Sequence, residues 1–188
     1  MNSLVPPPRH TITALVQDKP GVLNRVSSMF RRRGFNISSL AVGQSESETL
    51  SRMTFVVDGD DKVVEQVTKH LHKLIDVIKV TDISEENVIS RELALIKVKA
   101  GAEHRDQVMQ ISSMFRANII DVSKDFLLVE ATGDENKINS LINLLRDIGI
   151  SEVMRTGSVA MNRASNKGGK KIKQSIVSTR KWDEAASV

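Results

Sequence analysis

The string RHTITALVQDKPGVLNRVSSMFRRRGFNISSLAVG, residues 9–43, decides the fold. Its opening, Arg9–Gln17, is apolar and rich in β-branched residues, with Ile12, Ala14 and Val16 on one side, and predicts a strand. Asp18, Lys19, Pro20 and Gly21 are turn residues that lead into a helix. Apolar residues then recur at Val22, Val26, Met29 and Phe30, one face of that helix. Gly34 ends it, because glycine takes the left-handed cap conformation at no steric cost. Asn36–Gly43 predicts a second strand.

Working outward, Leu50–Val57 predicts a third strand after the polar hairpin loop Gln44–Thr49. Gly59, Asp60 and Asp61 mark a helix start, with acid near the positive end of the dipole. Val63, Val67, Leu71 and Leu74 give that helix its apolar face, and Val77–Asp82 predicts a fourth strand. The order is β-α-β-β-α-β. It then recurs: strand Glu92–Lys99, a helix face at Val108, Ile111 and Phe115, strands Asn118–Val122 and Phe126–Thr132, a helix face at Ile138, Leu141, Ile142 and Leu145, and strand Ile150–Thr156. Some letters recur too, SSMFR at 27–31 and 112–116, and Gly-Asp at 59–60 and 133–134. Recurring letters in a recurring element order indicate duplication. The expected fold is α+β, two tandem ferredoxin-like (βαββαβ) domains with antiparallel sheets. Their limits are read as 9–83 and 84–162, divided in the polar Ser84–Ser90. A basic tail, 163–188, has no apolar periodicity and is expected to be flexible.

Composition narrows the function. Of 188 residues, 40% are hydrophobic, as in a globular protein, and only 3% are aromatic, so the cores must be aliphatic. With no cysteine, disulfides, thiolate nucleophiles and cysteine metal sites are excluded. The net charge of +4 is uneven. The tail carries seven basic and two acidic residues, leaving 20 and 21 for the rest, so the body has no nucleic-acid-binding charge. The start, with Pro6, Pro7 and Pro8, lacks signal-peptide character, and no apolar run approaches a membrane span. A cytoplasmic protein with no membrane partner is expected. Leu15 and Val56 put apolar side chains on the second face of the first sheet. A unit this small is marginally stable alone. A homodimer through the sheets is expected; the alternative is that the two halves cover each other.

The residues also carry a resemblance. Asp18 to Leu23, followed by Arg33, Gly34, Phe35, Asn36 and Ile37, resembles the signature of ACT domains. The longer strings 31–42 (RRRGFNISSLAV), 50–54 (LSRMT), 72–77 (HKLIDV), 91–97 (RELALIK), 115–117 (FRA) and 155–157 (RTG) resemble the small regulatory subunits of acetolactate synthases. The resemblance runs from about Arg9 to Arg163. It implies a non-catalytic chain that activates a large catalytic subunit, on which thiamine diphosphate and Mg are expected, and that itself binds no cofactor. It also implies feedback inhibition by a branched-chain amino acid, usually valine, bound where two ACT domains meet in a homodimer.

The implied site has a physical reading. Valine is a zwitterion with a branched side chain. Backbone N–H groups at the start of the first helix suit its carboxylate, with Gly21 allowing close approach and Pro20 shaping the turn. Asp18 suits the ammonium, Val22 and Leu23 the apolar pocket. Asn36, which both donates and accepts, and Ile37 are expected from the partner's second strand. The same turn is also ordinary helix-capping chemistry. The second half has Ala100, Gly101, Ala102 and Glu103 in place of the turn and reads as a structural duplicate.

Other signals are weaker. The four histidines have no metal spacing. Arg31, Arg32 and Arg33 complement the helix dipole. Gly168-Gly169-Lys170-Lys171 lacks the spacing of a phosphate loop. No nucleophile–base pair is visible. Two other readings stay open: a free-standing amino-acid-binding regulator of another enzyme, and an RNA-binding ferredoxin-like protein, for which Phe55 and Phe126 are the available strand aromatics.

Overall fold

The computed structural model describes residues 8–84 and 87–164. Most of the basic tail, and Glu85–Glu86 of the polar bridge, lie outside the described residues. The first unit comprises β1 (Arg9–Gln17), α1 (Val22–Arg33), β2 (Asn36–Gln44), β3 (Leu50–Asp58), α2 (Asp61–Leu71) and β4 (Val77–Asp82). The second comprises β5 (Val88–Lys99), α3 (Arg105–Met114), β6 (Asn118–Val122), β7 (Phe126–Gly133), α4 (Glu135–Arg146), β8 (Ile150–Arg155) and β9 (Val159–Asn162). The sheets are ordered β2-β3-β1-β4 and β6-β7-β5-β8, antiparallel throughout. These are two ferredoxin-like units.

Each helix pair packs on one face of its sheet. The first core joins Ile12, Ala14 and Val16 to Met53, Phe55 and Val57, with Val26, Met29 and Phe30 of α1 above them. Phe30 stacks on Phe55 with ring centroids 5.3 Å apart. The second core is aliphatic, built on Ala94, Ile96, Val98, Leu127, Val129, Leu141 and Leu145. Asp60 and Asp134 cap α2 and α4, accepting from the amides of Val63 at 3.0 Å and Lys137 at 2.8 Å.

The duplication extends to irregularities. Ser38 and Ile120 are bulges at the same place in β2 and β6, and Ile78 and Ser151 are bulges where β4 and β8 pair with the central strands. The letter repeat SSMFR is out of step with it. Phe30 lies six residues before Asn36, whereas Phe115 lies three before Asn118. Thus Phe30 is a buried helical residue, and Phe115 is the half-buried cap of a shorter helix.

Three expectations change. Val64, not Val63, joins Val67 and Leu71 on the buried face of α2, and Leu74 follows that helix. Ser112 joins Val108 and Ile111 on α3 in place of Phe115. The last part of the polar bridge is strand: Val88 to Arg91 pair with β9, an element the sequence reading lacked.

The units touch. Arg9 of β1 makes an ion pair with Glu135 of α4, and the Ser158 amide donates to Ser39 Oγ at 2.9 Å. Between them lies a polar cleft of about 520 Å³, lined by Val56, Ser38 and Ser39 on one side and Ser90, Glu92 and Arg155 on the other. The buried outward-facing Val56 is therefore covered within the chain, so its burial is no argument for a dimer.

Candidate functional site

The turn between β1 and α1 is held from both sides. The Asp18 amide donates to the Thr49 carbonyl at 2.8 Å, which ties the turn to the β2–β3 hairpin. The Gln17 amide donates to the Asp76 carbonyl at 2.9 Å. Gly21 is the N-cap of α1 at φ 85°, ψ −6°, left-handed backbone that L side chains rarely adopt. The space its missing side chain would fill is open, with no heavy atom within 4 Å.

α1 begins without compensation. No side chain caps it, Asp18 included, and no acid lies in its first turn. The Val22 amide donates to the Lys19 carbonyl at 3.3 Å, which leaves the amides of Leu23 and Asn24 to face an anion at the positive end of the helix. Asp76, a buried acid, spends its carboxylate on an ion pair with Arg25.

Asp18, Pro20 and Gly21 are exposed, and Leu23 is 44% exposed, so it offers apolar surface beside the free amides. Val22 differs from the expectation. It is buried among the residues of the first core, so its side chain does not line a pocket.

Asn36 and Ile37 lie elsewhere. Because α1 runs back along the sheet, β2 starts at the same end of the sheet as β1, with β3 between them. Asn36 pairs with Asp58, which pairs with Arg9, while the Gly21 turn follows Gln17. Eight residue steps of strand, about 26 Å, separate the two groups. One chain does not unite them. Neither of two concavities includes them: the cleft above, and one of about 400 Å³ on the outer face of the second sheet, around Leu95, Phe126 and Met154. Sequence reasoning also missed Asp58. It accepts from Asn36 Nδ2 at 2.5 Å, and the βαββ strand order signals a pairing between the first residue of β2 and the last of β3.

The second unit has lost this geometry. The N-cap position of its helix is His104, in right-handed backbone and likewise without a side-chain cap, and Asp106 places an acid in the first turn of α3. Arg105 closes the region by donating to the carbonyls of Ser123 and Lys124. Among the described residues, no group of three histidines or carboxylates is arranged to hold a metal, and no helix is long and apolar enough to cross a membrane. Phe55 is fully buried in the first core, so it offers no base-stacking surface, and Lys97 sits over the Phe126 ring, 5.1 Å from its centroid.

The first unit therefore has the architecture of an ACT domain, set in a tandem ferredoxin-like chain. Residues 12–79 match the model of the "AHAS small subunit-like ACT domain", and residues 91–164 match that of the "Small subunit of acetolactate synthase". The chain belongs to the family of acetolactate synthase small subunits. It is 56% identical over 159 residues to the probable acetolactate synthase small subunit of Archaeoglobus fulgidus, covering 85% of this chain and 99% of that protein. It is 54% identical to the acetolactate synthase small subunit of Mycobacterium leprae, over 83% of this chain and 92% of that one. The crystal structure of the acetolactate synthase small subunit from Thermotoga maritima superposes with a TM-score of 0.78 at 46% identity, covering 83% of this chain and 98% of that one.

Proposed function

We propose that this chain is the regulatory subunit of an acetolactate synthase, and that two copies bind a branched-chain amino acid between their first units. It activates a catalytic subunit carrying thiamine diphosphate and Mg, and confers feedback inhibition by valine, with leucine or isoleucine as the other effectors to compare. The observation that carries this reading is the uncapped helix start at the left-handed Gly21. It matches a carboxylate in chemistry and leaves room for one.

Topology supports the dimer. β2 is an edge strand, with unpaired backbone groups on one side. A second β2 running antiparallel to it brings Asn36 and Ile37 of one copy to the end of the sheet where Asp18–Leu23 of the other lie. The offset along the strands that separates the two groups within a chain is thereby removed. Regulation then follows from linkage: valine favours one arrangement of the dimer, and a tenfold preference per site supplies about 1.4 kcal/mol.

The test is calorimetric titration with valine, leucine and isoleucine, alone and with the catalytic subunit, using Gly21→Asp as comparison. That variant puts a carboxylate where the ligand's belongs and an L side chain on left-handed backbone. Saturable valine binding that Gly21→Asp abolishes, with activation retained, is expected. No binding in either state overturns the reading, as does activation of a different enzyme in place of acetolactate synthase.

A further inference from the structure

We propose that Asp58 makes the effector site specific for an amino acid, by holding the Asn36 amide in one orientation and by placing a carboxylate beside the ligand's ammonium. This rests on the effector reading above.

Asn36 and Asp58 face each other across the β2–β3 ladder, and Asn36 Nδ2 lies 2.5 Å from Asp58 Oδ2. An ionised carboxylate only accepts hydrogen bonds, so the amide must turn its NH2 group towards it. Asn36 Oδ1 is then directed away, as an acceptor. Asn36 Oδ1 consequently matches an ammonium, and although Nδ2 keeps a second N–H, the Asp58 charge beside it disfavours a carboxylate there. That fixes the polarity of the bound zwitterion. Its ammonium lies at the Asn36–Asp58 end and its carboxylate at the helix start contributed by the other copy, so that Asp58 takes the role the sequence reading gave to Asp18.

Arg9 sets how much charge Asp58 offers. Arg9 Nε lies 3.4 Å from Asp58 Oδ1, but the same guanidinium pairs more closely with Glu135. Asp58 is thus only partly neutralised. The second unit repeats the pair without this arrangement. Asn118 Nδ2 lies 3.3 Å from Glu130 Oε1, and Leu95 stands across from Glu130 where Arg9 stands across from Asp58.

The experiment titrates the full chain with valine and with its 2-hydroxy analogue, which has the same carboxylate and side chain but no ammonium. Asp58→Asn is expected to weaken valine about five- to tenfold, the scale of a lost charged hydrogen bond, and to leave the hydroxy acid unchanged. Arg9→Gln, which leaves the Asp58 charge undivided, is expected to tighten valine about twofold. Glu130→Gln is the control and alters neither ligand. Equal weakening of both ligands by Asp58→Asn, or no effect on valine, overturns the proposal while the effector reading stands. Should Asp58→Asn fail to fold, unchanged valine affinity in Arg9→Gln overturns it instead. Failure of the unaltered chain to bind valine overturns the effector reading and this inference together.

Discussion

Single side chains here act through what they leave uncompensated. Arg25 sits in the first turn of α1, where the helix dipole disfavours a cation, and the buried Asp76 carboxylate holds it there. Arg25→Met strands that carboxylate. A loss of about 1–3 kcal/mol is expected, read from the midpoint of urea unfolding. His70 works in the opposite sense. Desolvation, with help from the charges of Arg33 and Lys73, holds its imidazole below the ordinary value of 6.5. The folded chain therefore binds the proton less readily than the unfolded one. Stability associated with neutral His70 is complete above about pH 6.5 and is lost as the pH falls through the lower folded value. In His70→Gln the fall in unfolding midpoint between pH 7.5 and 5.5 should be shallower than in the parent. An equal fall in both proteins would show that His70 is not the group responsible.

At the scale of elements, the two units test one another. α1 and α3 both end in a left-handed residue whose successor donates back into the last turn, Phe35 to Phe30 and Ala117 to Ser112. In α1 that residue is Gly34; in α3 it is Arg116 at φ 50°. Left-handed backbone costs an L residue about 1 kcal/mol. Arg116→Gly is therefore expected to stabilise the second unit by up to about 1 kcal/mol, measured by thermal unfolding, and Gly34→Ala to destabilise the first by a similar amount. Much of this level was legible in the letters: both Gly-Asp helix starts, the cap at Gly34, and strands β1 and β4 to the residue. What was not legible depends on contacts far apart in sequence. β9 is strand only because Val88 to Arg91 lie beside it, and in isolation those residues read as a polar bridge. The site suffers similarly. Asp18 to Leu23 announce themselves by turn chemistry, whereas the remoteness of Asn36 and the relevance of Asp58 appear only once α1 has folded back across the sheet. Val22 was legible as the first residue of the helix face, and that face buries it in the first core.

The whole molecule depends on a small polar junction. Arg9 and Glu135 join the units on one side, and the turn at Gly157 joins them on the other. Exposed ion pairs contribute little, about 0–1 kcal/mol, so the turn should matter more. Gly157 has φ 80°, and a Cβ there would lie 2.8 Å from Ser39 Oγ and 3.1 Å from the Leu40 carbonyl oxygen. The serine side chain can move aside, but the carbonyl belongs to β2 and is held by the sheet. Gly157→Ala thus combines left-handed strain with a clash against the backbone of the other unit. Its expected effect is selective. Both hydrophobic cores should persist, because no core residue is altered, while the Ser158 amide loses the partner it has in Ser39. Hydrogen exchange separates the outcomes. Faster exchange at Ser158, with protection retained in β1, β3, β5 and β7, would locate the damage at the junction. Equal loss of protection throughout would show that the units fold as one cooperative body, with Gly157 supporting all of it. Because β2 contributes both the Ser39–Leu40 face of this junction and the edge proposed for the dimer, undocking the second unit should also shift valine affinity, and titration of the same variant reads that coupling directly.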